Sequence, residues 1–264
     1  MLRCARSHLP SLPLHVVQRG HHRDACFFVE EVDLTYREWL AAACKATGCA
    51  LQAYVQMTNH VHLLLSAESE AVSRLMISLG RRYAQHINKR YRRTGTLWDG
   101  RYKSSLVQAD AYLPLCQRHI ERNPVRAAMV DDPAHYRWSS YRANGLGQSG
   151  SLLTPHADSS SLGANEADRL ANCRSVFRPE LDADGISDIR MALDQGQPLG
   201  DARFIDSIER ATGQRREIRP RGRPGKAMLK EARRQDQLSL DEEAWPLFCS
   251  IYPFSRLEPP CRPH

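Results

Sequence analysis

The chain has 264 residues, 42% of them hydrophobic and 25% charged, enough for one sizeable core with appendages and too apolar for a wholly disordered chain. A formal charge of +7 and a pI near 9.1 favour a polyanionic partner, nucleic acid ahead of a membrane surface. No run reaches the roughly 20 apolar residues of a spanning helix, no signal peptide opens the sequence, and the eight cysteines include no C-x-x-C, which argues against a zinc ribbon and for reduced thiols in a cytoplasm.

Residues 1–12, with basic residues and two prolines, read as a loose arm. L-H-V-V-Q-R-G at 14–20 alternates and ends on glycine, as a first strand does. Residues 21–24 form a turn, and 26–29 a short extended piece. A helix follows from about Asp33, carried by Leu34, Trp39, Leu40, Ala43 and Cys44 and stopped by Gly48. Residues 49–57 alternate as a second strand, and Thr58-Asn59 is a tight turn or a bulge.

The stretch 58–66 reads T-N-H-V-H-L-L-L-S. On a strand, His60, His62 and Leu64 share one face, while Val61, Leu63 and Leu65 share the other. Two neutral imidazoles on one face are half a site for a divalent metal, although an isolated H-x-H also suits surface or capping histidines. The next helix carries an apolar stripe of Val72, Leu75, Met76, Leu79, Tyr83 and Ile87. Its other face bears Arg74, Arg81, Arg82, Lys89 and Arg90, followed by Arg92 and Arg93, with few acids to neutralise them. Nucleic acid is the expected contact of that face.

Residues 94–96 form a turn, Leu97-Trp98 an aromatic anchor, and 101–108 a strand. Asp110 is the expected N-cap of a helix through Arg122, ended by Asn123-Pro124, with Pro114 an anomaly inside it. The order strand, helix, strand, strand, helix, strand, helix predicts an α+β fold: a ferredoxin-like antiparallel sheet with helices on one face, plus a helical and basic C-terminal extension. The open face, bearing His60 and His62, meets the last helix, which carries His119 and Asn123 four apart on one side. Expected boundaries are a domain at 1–147, a linker at 148–173, a small helical region at 174–213, a basic segment at 214–235 and an unassigned tail at 236–264. Short helices are expected near 182–195 and 201–212.

Three stretches together, N-H-V-H-L-L-L, T-G-T-L-W-D-G-R-Y-K-S-S and R-H-I-E-R-N-P-V-R-A-A-M-V, resemble the HUH single-tyrosine transposases, and more narrowly the REP-associated tyrosine transposase branch. The resemblance implies cleavage and strand transfer on single-stranded or hairpin DNA, with a tyrosine attacking a phosphodiester beside a divalent ion, Mg²⁺ or Mn²⁺. It places the metal ligands at His60, His62 and Asn123. It places the nucleophile at position 119, where this sequence has histidine instead of tyrosine. His119 is then an inert remnant, a further metal ligand or an imidazole nucleophile, in that order. Tyr112 lies two turns earlier, about 10 Å along the helix, too far to substitute; Tyr83 and Tyr102 read as core. DNA contacts are expected from Arg19, Arg81, Arg82, Arg92, Arg93, Arg101 and Lys103. Within the basic run at 215–226, which reads first as a generic basic linker touching phosphates, P-R-G-R-P with Arg221 and Arg223, preceded by Arg219, also looks like an AT-hook for A·T-rich duplex.

A transposase, competent or impaired at position 119, is the leading expectation. A non-catalytic protein that binds hairpin or repeat DNA is the alternative. An RNA-binding domain of RRM type shares the fold class but lacks its aromatic strand motif.

Overall fold

A computed structural model describes residues 9–68, 70–148, 150–156 and 183–213, together with Asp168 and Ala171. The basic run with Arg219, Arg221 and Arg223, and the tail at 236–264, lie outside the described residues. Strands β1 (Leu14–Arg19), β2 (Ala50–Met57), β3 (His60–Ser66) and β4 (Lys103–Leu106) form one antiparallel sheet in the order β2-β3-β1-β4. Helix α1 (Glu30–Thr47) joins β1 to β2, and α2 (Ala71–Arg90) joins β3 to β4. This is the ferredoxin-like βαββαβ arrangement, with β1 and β3 central.

The period of two in the strands decides what each face packs against. Leu14 and Val16 of β1, with Val61, Leu63 and Leu65 of β3, meet Val32, Tyr36 and Leu40 of α1 and Leu75, Leu79 and Tyr83 of α2. Each such side chain, fully buried, contributes about 1.5–3 kcal/mol. Phe27, Tyr36 and Tyr83 interlock here at ring separations of 4.9–5.4 Å, and Trp98 stacks on Tyr83 at 5.7 Å while donating its Nε1–H to Gly80 O. The Leu97-Trp98 anchor thus ties the β4 approach to α2.

The opposite face carries Val17 and Leu64 and is covered by α3 (Ala109–Glu121), through Leu113, Cys116 and Ile120. Helix α4 (Asn123–Arg126) follows at once, then α5 (Tyr141–Leu146), α6 (Ala183–Gln195) and α7 (Ala202–Thr212). Helix α6 adds Ile189, Ala192 and Leu193 to the α3 face, and Leu199 beyond it bridges to Val107 in parallel. Helix α7 sends Ile208 into the core on the α1–α2 side. Helices therefore lie on both faces, α1 and α2 on one, α3 and α6 on the other.

Several boundaries differ from expectation. Helix α1 starts at Glu30, and residues 26–29 pair with no strand. β4 is short, ending at Leu106 before the bond from Gln108 N–H to Leu199 O. The N-cap of α3 is Gln108, and Asp110 instead accepts from Ala111 N–H inside the first turn. Met57 pairs with His60, so Thr58-Asn59 is a two-residue hairpin turn. The register of β2 shifts between Leu51 and Ala53, which puts Leu51 and Tyr54 on the α1–α2 face and Ala53, Val55 and Met57 on the other. Beside the hairpin, Gly20 has no room for a side chain, since a Cβ would lie 2.3 Å from Asp24 O. No helix among the described residues is long and apolar enough to cross a membrane.

Candidate functional site

The register of β1 and β3 sets His15 opposite Leu64 and Val17 opposite His62. His15 and His62 are therefore diagonal neighbours on the α3 face, and their rings meet at 5.1 Å with His15 Nε2 2.9 Å from His62 Nδ1. His60 lies two residues from His62 on the same face, its ring 5.0 Å away. Helix α3 passes through Pro114 and sets His119 edge-on to both His15 and His62, each at 5.9 Å. Asn123, the first residue of α4, brings its amide nitrogen to 3.1 Å from His62 Nε2. One turn of helix thus puts His119 and Asn123 over the histidine strand together.

Hydrogen-bond chemistry places the ring protons. Arg126 has only donors, and it gives Nη1–H to His119 Nδ1 at 2.8 Å and Nη2–H to His119 O at 3.0 Å. The neutral His119 ring therefore carries its proton on Nε2 and offers neither nitrogen as a free lone pair. His60 gives its Nδ1–H to Asn59 Oδ1 at 2.6 Å, which leaves the lone pair on Nε2. With Asn123 donating to His62 Nε2, His62 holds its proton on Nδ1 and gives it to His15 Nε2. Both members of the H-x-H pair then carry their protons on Nδ1, with His60 Nε2 a lone pair and His62 Nε2 accepting from Asn123.

Burial keeps these rings neutral. His15, 1% exposed, is pushed down to about 3 by burial and then by the Arg126 charge. His62 and His119 are driven well below the ordinary histidine value by burial first, with Arg126 acting on both and Arg190 on His119. His60 is lowered by burial, Arg19 and Arg126. The side-chain charges that act on the four imidazoles, Arg19, Arg126 and Arg190, are all cationic. Such surroundings suit a phosphate.

Among the described residues no group of three or more His, Cys, Asp or Glu side chains is arranged to hold a metal ion. The available donor set is His60 Nε2, His62 Nε2 and the Asn123 amide oxygen, the last two once the amide turns over and gives up its bond to His62. Two imidazole nitrogens with one amide oxygen suit a divalent first-row transition ion better than Mg²⁺, which favours oxygen ligands throughout.

Of the other expected residues, Arg19 stands at the edge of the site, paired in register with His60. Lys103 is bound to Asp194 of α6 at 2.6 Å, and Arg101 is exposed beside it in sequence. Arg81 and Arg82 lie on the outer surface of α2, where they line a groove with Arg74, Ile77, Ser78 and Gln85, and Arg82 caps the Trp39 ring at 4.1 Å. Arg93 acts on Cys26 of the α1–α2 core, and Arg92 turns away from α2 with φ 50°. The sheet separates the arginines of α2 from the histidines. Tyr83 and Tyr102 are buried on the α1–α2 side, Tyr83 donating to Cys26 O.

Sequence reading missed His15, Arg126 and Arg190. His15 was within reach of the alternation in L-H-V-V, which puts it on the face of Val17. Arg126 stands in N-P-V-R, one short turn after Asn123, whereas nothing in the sequence places Arg190 near residue 119.

Residues 8–123 match the family model described as transposase, IS200-like. Among solved structures, a REP-associated tyrosine transposase bound to a REP hairpin is similar at 12% identity over 58% of this chain and 92% of its own, with a TM-score of 0.49. A candidate transposase from Deinococcus radiodurans R1 is similar at 24% identity over 44% of this chain and 94% of its own, with a TM-score of 0.33. No curated protein matches the chain. The similarity to the IS200-like transposases thus covers residues 8–123, a little under half of the chain.

Proposed function

We propose that this protein is a transposase of the REP-associated branch that holds single-stranded or hairpin DNA on its histidine face, with strand cleavage impaired at position 119. The observation that carries this reading is the placement of His60 and His62 side by side beneath Asn123 and His119, with Arg19, Arg126 and Arg190 acting on these rings. His60, His62 and Asn123 would hold a divalent ion, Mn²⁺ or Mg²⁺. When bound, that ion supplies Lewis-acid polarisation of a phosphate oxygen. The chain's own residues neutralise the phosphate, orient it and keep the imidazoles unprotonated.

The grip of Arg126 on His119 supports the impairment. A phenol at this position would reach toward phosphate with an ionisable oxygen, whereas His119 holds a proton on Nε2 and accepts the Arg126 Nη1–H at Nδ1. The same contact favours the second reading, a protein that binds hairpin or repeat DNA without cutting it. The basic run with Arg219, Arg221 and Arg223 supplies, on its sequence alone, a further contact to A·T-rich duplex. Equal affinity for A·T-rich and G·C-rich duplex at fixed salt refutes that contact.

The test is Mn²⁺-dependent cleavage of a single strand carrying a hairpin, with covalent adduct read on a denaturing gel. Wild type is expected to bind and form little adduct, and His119→Tyr to form more. Binding without cleavage by either protein establishes the second reading. A strong wild-type adduct overturns the impairment, and absence of hairpin binding overturns both readings.

A further inference from the structure

One deeply buried polar group of this face has no part in the function argued so far. His15 is 1% exposed, sits between Leu14 and Val16 in a central strand, and shares its face with Val17 and Leu64. An apolar side chain would fill such a position at lower cost, because a buried imidazole loses its hydration unless it is bonded. His15 has such a bond, from Nε2 to His62 Nδ1 at 2.9 Å. We propose that His15 is a positioning residue that accepts the Nδ1 proton of His62 and so turns the His62 Nε2 lone pair toward Asn123.

The purpose of this device rests on the metal reading above; its geometry does not. An unconstrained imidazole prefers its proton on Nε2, the nitrogen that faces Asn123. Left alone, His62 would thus present a donor where a lone pair is required. A bond at Nδ1 reverses that preference, because a ring held as a donor there must be an acceptor at the other nitrogen. His119 stands edge-on to both rings and closes the open side, so the pair has one stacking arrangement. His60 is set in the same way by a different group, its Nδ1–H going to Asn59 Oδ1. Each member of the H-x-H pair therefore has its own acceptor at Nδ1, one from the hairpin turn and one from β1.

The experiment uses the full chain labelled with ¹⁵N-histidine, without metal. In wild type, coupling across the hydrogen bond should link His62 Nδ1–H to His15 Nε2. His15→Gln supplies a side-chain oxygen near the position of Nε2 and should keep His62 protonated on Nδ1. His15→Phe removes the acceptor and should shift the proton toward Nε2. Mn²⁺ affinity, measured by calorimetry with a short single-stranded oligonucleotide present, should fall roughly 10–100-fold in His15→Phe and recover most of that loss in His15→Gln. A wild-type His62 protonated on Nε2, or a His15→Phe protein with unchanged tautomer, overturns the proposal. If His15→Phe fails to fold, the wild-type coupling decides: its presence supports the proposal and its absence overturns it. His60→Ala with His62→Ala tests the metal reading separately. Unchanged Mn²⁺ binding in that variant removes the metal, while the tautomer spectrum still decides His15.

Discussion

Glu121→Gln probes how the helix carrying the site is fastened. Glu121 lies midway between His119 and Asn123, is 0% exposed, and accepts from Ser140 Oγ and from Asn144 Nδ2 at 2.7 Å. It ties α3 to the segment that leads into α5. Burial pushes its carboxyl up to about 7, although the bonds from Ser140, Asn144 and Gln117 pull the other way. Between its unfolded value of 4.5 and its folded value, the native chain keeps a proton that the unfolded chain has released. Stability from this group is therefore complete below the unfolded value and declines as pH rises through about 7. The linkage relation gives a loss of about 2.5 kcal/mol between pH 5 and 8. Glutamine does not titrate, so it should gain that amount relative to wild type over the same range, whatever constant offset the substitution adds. Urea unfolding of both proteins at pH 5, 6, 7 and 8 measures the difference, and titrations shared by the two, those of the four histidines and Asp33, cancel. Parallel stability curves would refute the reasoning, because they would mean that Glu121 ionises as freely in the native state as in the unfolded chain.

The charges acting on the histidines are cationic, so Mn²⁺ alone should bind weakly and an added single-stranded oligonucleotide should tighten it by about tenfold or more, with an equal reciprocal effect. Calorimetry showing the same Mn²⁺ affinity with and without DNA would contradict this. Arg126→Gln removes the nearest guanidinium from His119, so the His119 pKa should rise, as NMR titration would detect; an unmoved titration would sink the proton assignment made for that ring. Gly20→Ala should cost about 1–3 kcal/mol in urea unfolding, because the new Cβ meets backbone oxygen and not a flexible side chain. A neutral result would mean that the 21–24 turn gives way at no cost.

The histidine face was legible because period two on β3 and a spacing of four on α3 each name a face without tertiary information. The two faces meet because Leu113, Cys116 and Ile120 of α3 pack in one cluster with Val17 and Leu64. The bulge in β2 was not legible. Inserting one residue reverses the face of everything before it, and A-L-Q-A-Y-V-Q-M reads as an ordinary strand either way. The Asp110 cap failed because the chain enters α3 two residues earlier, drawn by the bonds that Val107 and Gln108 make to Pro13 and Leu199. Arg74, Arg81 and Arg82 lie on the outer surface of α2, but charge pattern alone does not say which side of a sheet a helix covers. Helices near 182–195 and 201–212 were visible as amphipathic runs. Their docking was not, because an apolar stripe shows that a helix face is buried and leaves its partner open.

The placement of α6 has a consequence for synthesis. The site draws on His15, His60, His62, His119, Asn123 and Arg190, so it spans sequence separations of up to two-thirds of the chain. As the polypeptide leaves the ribosome, β1 through α3 emerge well before the helix that covers the remainder of their apolar face. Until residues 183–195 follow, Val17 and Leu64 lack the Ile189, Ala192 and Leu193 cover, and Lys103 lacks Asp194. A message broken before that point yields a chain with both histidines of the H-x-H pair and an unfinished pocket around them. Completion of the site therefore requires translation to pass residues 8–123 and reach α6.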